Sequence, residues 1–94
     1  MPFDSTLDPT TDVILGAISY IEQHGWNRGS AVNGIRRCVW AAMREIAGAN
    51  TALMLAVGER FERANKIRHG RVSEWNNEPG RTEEQVLDAL RNSI

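Results

Sequence analysis

Three groups of side chains in this chain have types and spacings that bear on chemistry. The first is Arg36, Arg37, Trp40 and Arg44. On one continuous helix, Arg36 and Arg37 fall four and three residues before the indole and Arg44 four after it, so the guanidinium groups surround the ring. Trp40 then points away from the apolar positions Ile35, Val39, Ala42 and Ile46. An exposed indole framed by arginines has the composition of a protein-interface hot spot, or of a platform that stacks a base beside phosphates. Covered by a neighbouring helix, the same residues form a structural cation–π cluster.

The second group is Trp26, Trp75 and Asn76, which sit in two loops beside small or amide residues. Loop tryptophans anchor irregular backbone to a helical core, and neighbouring amides bond the loop's backbone groups. The alternative is a pocket shared between the two loops. The third group holds the reactive types: Cys38, His24, His69 and the pair Glu83-Glu84. Cys38 flanks the apolar stripe of the second helix and reads as a small buried hydrophobe, without the electropositive setting or base that a nucleophile needs. Each histidine precedes a glycine at an expected helix C-terminus, where the ring complements the helix dipole. Glu83 and Glu84 open a helix and favour its N-terminal dipole. One cysteine and two distant histidines give no zinc spacing, and no phosphate loop, dinucleotide fingerprint or calcium loop occurs. The expectation is no catalytic residue, no metal and no cofactor.

The elements that must position these groups are helices. Asp8-Pro9 opens the first, with Asp8 as N-cap and Pro9 at the first helical position. Ile14, Ala17, Ile18 and Ile21 give it a helical stripe, and Gly25 ends it after His24. Residues 27–34 read as a loop. The second helix starts near Ile35 and closes at Gly48. Asn50 or Thr51 caps the third, whose buried face is Leu53, Val57, Phe61, Ala64 and Ile67 and which ends at His69-Gly70. Residues 71–81 read as an irregular connection. Thr82 with Gln85 forms a capping box for the last helix, with Val86, Leu87, Leu90 and Ile94 turned inward. The expected fold is all-α: residues 1–8 as a flexible arm, then a single domain over residues 9–94 built as a small bundle of four helices.

Composition agrees. With 94 residues, 41% hydrophobic and 24% charged, the chain suits one globular domain and is too apolar for disorder. No apolar run is long enough to span a membrane, and the N-terminus lacks the regions of a signal peptide, so a reducing cytoplasm is the expected location. The net charge of −1 hides segregation. Residues 1–27 carry four acidic and no basic groups, residues 28–71 nine basic and three acidic, and residues 72–94 five acidic and two basic. A basic middle attracts an anionic partner unless the acidic ends neutralise it.

Gly25-Trp26, Gly34, Cys38 with Ala41-Ala42, Trp75-Asn76-Asn77, Thr82 and the run from Val86 to Leu90 together resemble a family of short proteins of unknown function from actinobacteria and their phages. The resemblance spans about residues 12–92 and is most specific from Trp75 to Leu90. The family usually shows Asp where this chain has Asn77, so the resemblance implies that any acid or metal role at that position is missing here. It supplies no activity, and it makes Trp40 particular to this chain.

The expected function is therefore a non-enzymatic interaction protein, phage-encoded as the resemblance implies, that binds a cellular protein through Arg36, Arg37, Trp40 and Arg44. The alternative is nucleic-acid or anionic-ligand binding by the same arginines with Arg60, Arg63, Lys66, Arg68 and Arg71. A small-molecule pocket at Trp26, Trp75 and Asn76 is a third reading. Met54 and Leu55, at the edge of the third helix's stripe, suit a homodimer.

Overall fold

The computed structural model describes residues 8–29, 32–34 and 36–94. Residues 1–7 of the expected arm, and Ile35 of the expected second helix, lie outside them. The order is α1 (Pro9–His24), β1 (Val32–Asn33), β2 (Arg36–Arg37), α2 (Val39–Ala47), α3 (Thr51–Ala64), α4 (Val72–Asn76) and α5 (Glu83–Asn92). The fold is the small all-α domain expected, with, among the described residues, four longer helices, a fifth short one and an antiparallel ribbon pairing Val32 with Arg37 and Asn33 with Arg36.

Local chemistry sets most boundaries. The Asp8 carboxylate accepts the Thr11 N–H at 2.8 Å and starts α1. That helix ends where Gly25, at φ +95°, donates its N–H to the Ile21 carbonyl. Asn50 Oδ1 accepts the Leu53 N–H and starts α3. Thr82 and Gln85 close both bonds of the capping box on α5.

Three boundaries differ from expectation. The second helix does not begin near residue 35: Cys38 is its N-cap, with Sγ 3.4 Å from the Ala41 N–H, and Arg36 and Arg37 belong to β2. Cys38 is buried as expected, but at the mouth of the helix rather than along its stripe. The third helix stops at Ala64, five residues early. Asn65 Nδ2 donates to the Phe61 carbonyl, and Lys66 takes a left-handed φ of +57°, which breaks the helix before Ile67. The connection expected to be irregular contains α4, which buries Val72 and Asn76.

The core joins Ile14, Ala17 and Ile21 of α1 to Val39, Ala42 and Met43 of α2, Val57 and Phe61 of α3, and Val86 and Leu90 of α5. Helix α1 touches α2, α3 and α5. Gly16 lets α2 lie close on it, because a Cβ there would stand 2.7 Å from Ile46 Cγ2. Met54 is buried in this core, whereas Leu55 is 58% exposed and Ile94 faces solvent rather than inward. None of the described helices is long and apolar enough to cross a membrane.

Candidate functional site

Trp40 is the second residue of α2, and its indole lies against α3. A Cβ on Gly58 would stand 2.8 Å from Trp40 Cζ3, so the missing side chain at that position is what lets the ring settle between the two helices. The ring is half-buried, neither free in solvent nor sealed in the core. It separates two adjoining depressions, and Leu55 lines both of them with it. One, of about 430 Å³, continues past Arg44, Gly48, Thr51 and Met54. The other, of about 230 Å³, continues past Gly58, Glu59, Glu62, His69 and Val72. Together they form a groove along α2 and α3 with an apolar centre.

The expected ring of arginines is not formed. Helical spacing does not extend back from Trp40 to Arg36 and Arg37, because Cys38 caps the helix between them. Arg37 Nε pairs with Glu45 at 2.8 Å, its Nη1 donates to the Gly34 carbonyl, and its guanidinium lies over Tyr20. The stem of Arg36 runs along Gly25, at the end of α1. Of the four residues, only Trp40 and Arg44 share the groove.

Glu62, which charge periodicity alone did not single out, shapes the groove's far end. Its side chain is 8% exposed, and Oε2 accepts the Gly70 N–H at 2.7 Å while Oε1 stands 3.4 Å from His69 Nδ1. Its carbonyl accepts the Ile67 N–H at 2.8 Å. One buried residue thus ties the turn after α3 back onto that helix and satisfies its carboxylate in doing so. The role expected for His69 at a helix end changes accordingly: it stands in this turn, while His24 does end α1 and packs on Tyr20 with ring centroids 4.6 Å apart.

Trp26, Trp75 and Asn76 do not make an open pocket. Asn76 is fully buried and every bond its amide can make is made. Its Oδ1 accepts Trp26 Nε1–H at 2.6 Å and the Val39 N–H at 3.0 Å, and its Nδ2 donates to the Asn27 carbonyl at 3.2 Å and Asn77 Oδ1 at 2.9 Å. Nothing remains for a ligand to bond. Trp75 is engaged elsewhere, edge-on to Phe61 at 5.4 Å and under the Arg81 guanidinium at 4.0 Å. This is the anchoring role, with Asn76 as the knot that ties α4 to the start of α2 and to the segment after α1. Asn77 Oδ1 extends it by accepting the Gly29 N–H at 2.8 Å. That position uses an oxygen acceptor, which the Asn77 amide supplies. Glu83 adds one tie that its place at a helix start did not suggest: Oε1 accepts the Trp26 N–H at 3.0 Å.

The basic middle is joined to both acidic ends. Arg60 pairs with Asp8 at 3.2 Å and Arg71 with Glu74 at 3.0 Å. Arg60 also donates to the Thr10 and Thr11 hydroxyls. Asp8 is held at about pKa 2 by the Thr10 hydroxyl and the Thr11 N–H that bond its carboxylate, with Arg60 beside it. Among the described residues, no three His, Cys, Asp or Glu side chains stand together to share a metal ion.

The sequence profile of a family of unknown function, DUF6197, matches residues 5–94, and the chain belongs to that family. No curated protein and no solved structure matches it.

Proposed function

We propose that this DUF6197 member is a non-enzymatic interaction module that docks a protein through the α2–α3 groove, with Trp40 and Leu55 as apolar anchors and Arg44 at the rim. The carrying observation is that a half-buried indole and a leucine 58% exposed line both halves of one groove. Trp is enriched among residues that dominate binding energy, and such residues sit in well-packed pockets when covered. Completing the burial of Leu55 would contribute about 1–2 kcal/mol by area alone. An actinobacterial or phage source and a cytoplasmic location, implied by the motif resemblance and the lone cysteine, form part of the same proposal.

Leu55→Glu tests the proposal more cleanly than Trp40→Ala, because Trp40 also packs on Gly58 and its loss disturbs the α2–α3 contact. A photo-crosslinker at position 55 of the wild type should label the partner. Capture should fall at least about tenfold in both variants while their circular dichroism stays helical. Undiminished capture by folded Leu55→Glu would move the docking face elsewhere.

The alternative, phosphate contact through the basic middle, draws on Lys66, Arg68 and Arg71, which line a notch beside Trp75. Glu74 and Glu78 share that notch, and Arg60 and Arg71 are already paired, so the charge on offer is smaller than composition suggests. A gel shift whose affinity falls steeply with salt would favour it over protein docking.

A further inference from the structure

We infer that the occupant of the α2–α3 groove is a second copy of this chain, laid antiparallel across a two-fold axis near Leu55 so that Arg44 of each copy meets Glu59 of the other. The inference rests on the docking role proposed for the groove and names its partner.

The charge layout carries it. Thr51, Leu55, Glu59 and Glu62 of α3 follow one another at roughly one-turn spacing along the groove, a run of about 16 Å. Arg44 lines the half that holds Thr51, and Glu59 lines the half that holds Glu62, while Trp40 and Leu55 belong to both. The strip therefore reads cation, apolar, anion. A two-fold rotation about its middle reverses the order and lays cation on anion at both ends at once, as an isologous interface requires. Leu55 at the middle then enters the depression beside the partner's Trp40.

Of the ionisable residues that line the groove, Glu62 and His69 are engaged with each other, which leaves Arg44 and Glu59. Arg37, Arg60, Arg71, Arg81 and Arg91 each hold a carboxylate within the monomer. The side chains of Arg44 and Glu59 are exposed and pair with no other described residue. Ala52 and Ala56, exposed on one flank of Leu55, present little bulk to keep two α3 backbones apart. An unrelated partner would have to reproduce this polarity, whereas a second copy carries it already.

Sedimentation of the full chain between roughly 5 and 200 μM tests the pairing. A concentration-dependent monomer–dimer equilibrium is expected. Leu55→Glu should stay monomeric, and R44E and E59R should each dimerise at least about tenfold more weakly, since like charges then meet at both ends. An equimolar mixture of R44E with E59R should dimerise again, because the mixed pair sets unlike charges against each other at both ends, and the double variant should do so alone. Wild type that remains monomeric throughout, or an R44E and E59R mixture that does not associate, overturns the inference. If monomeric wild type still loses a different protein on Leu55→Glu, the docking groove survives and self-pairing falls. If Leu55→Glu changes neither behaviour, both fall.

Discussion

Replacing Asn76 with Ala should be among the most damaging single changes in the protein, though it removes only one amide. The side chain is fully buried and ties α4 to two other segments, bonding Trp26 Nε1–H and the Asn27 carbonyl in one and the Val39 N–H in the other. Without it those three bonds are lost together. A buried polar group left unpaired costs about 1–3 kcal/mol, and relaxation or an entering water recovers part of that. A net loss of about 3–5 kcal/mol follows, against a total stability of about 5–14 kcal/mol for a domain of this length. For a domain of this size each kcal/mol moves Tm by roughly 4–8 °C, so the midpoint should drop by roughly 12–40 °C. Thermal and urea unfolding followed by circular dichroism measure it directly. Asn77→Asp is the internal control. Asn77 Oδ1 only accepts, from Gly29 N–H and Asn76 Nδ2, and a carboxylate does the same, so stability should stay within about 1 kcal/mol of wild type. A loss below about 1 kcal/mol for Asn76→Ala would refute the view that this amide ties the loops to the helices.

Two further perturbations have signs set by the structure. Cys38 Sγ accepts the Ala41 N–H as N-cap of α2, so Cys38→Ala should cost about 1 kcal/mol while Cys38→Ser, with a better capping oxygen, should hold stability near wild type; urea midpoints for the pair check this. Asp8 titrates at about 2 in the fold against 3.8 ordinarily, a depressed carboxyl, so its contribution is present above about pH 4 and is lost as pH falls toward 2. The Tm difference between wild type and Asp8→Ala should therefore be steady from pH 5 to 7 and shrink below pH 4; a difference that grows on acidification would contradict the Thr10, Thr11 and Arg60 contacts.

Local signals in the chain were enough for the helical class and for most helix ends. Asp8-Pro9, Gly25, Gly48, Asn50 and the Thr82–Gln85 box act through bonds between residues a few positions apart, and such bonds form wherever the chain goes next. Periodicity likewise placed Ile14, Ile21, Val57, Phe61 and Leu90 in the core, because a helix face is a property of spacing. What the spacing of Arg36, Arg37 and Trp40 did not reveal is where the helix begins. Residues Arg36 and Arg37 follow a helix-compatible pattern, but pairing with Val32 and Asn33, and the bond from the Asn27 N–H to the Arg37 carbonyl at 2.9 Å, hold them extended. Asn27 lies ten residues from Arg37, outside any helical window, and with that partner the arginines leave the indole.

The same reason separates everything else. Glu62 is an ordinary charge by pattern and a buried tether only because Gly70 folds back to it. Trp40 looks outward on a helical wheel, yet Gly58 of the next helix decides how far the ring sinks. Asn76 lies in a polar stretch, and only the meeting of three segments separated by up to 50 residues lets its buried amide be fully bonded. Elements bounded by near-neighbour chemistry could be read in one dimension. Burial, the groove and its polarity come from contacts between elements, and those exist only once the helices have packed.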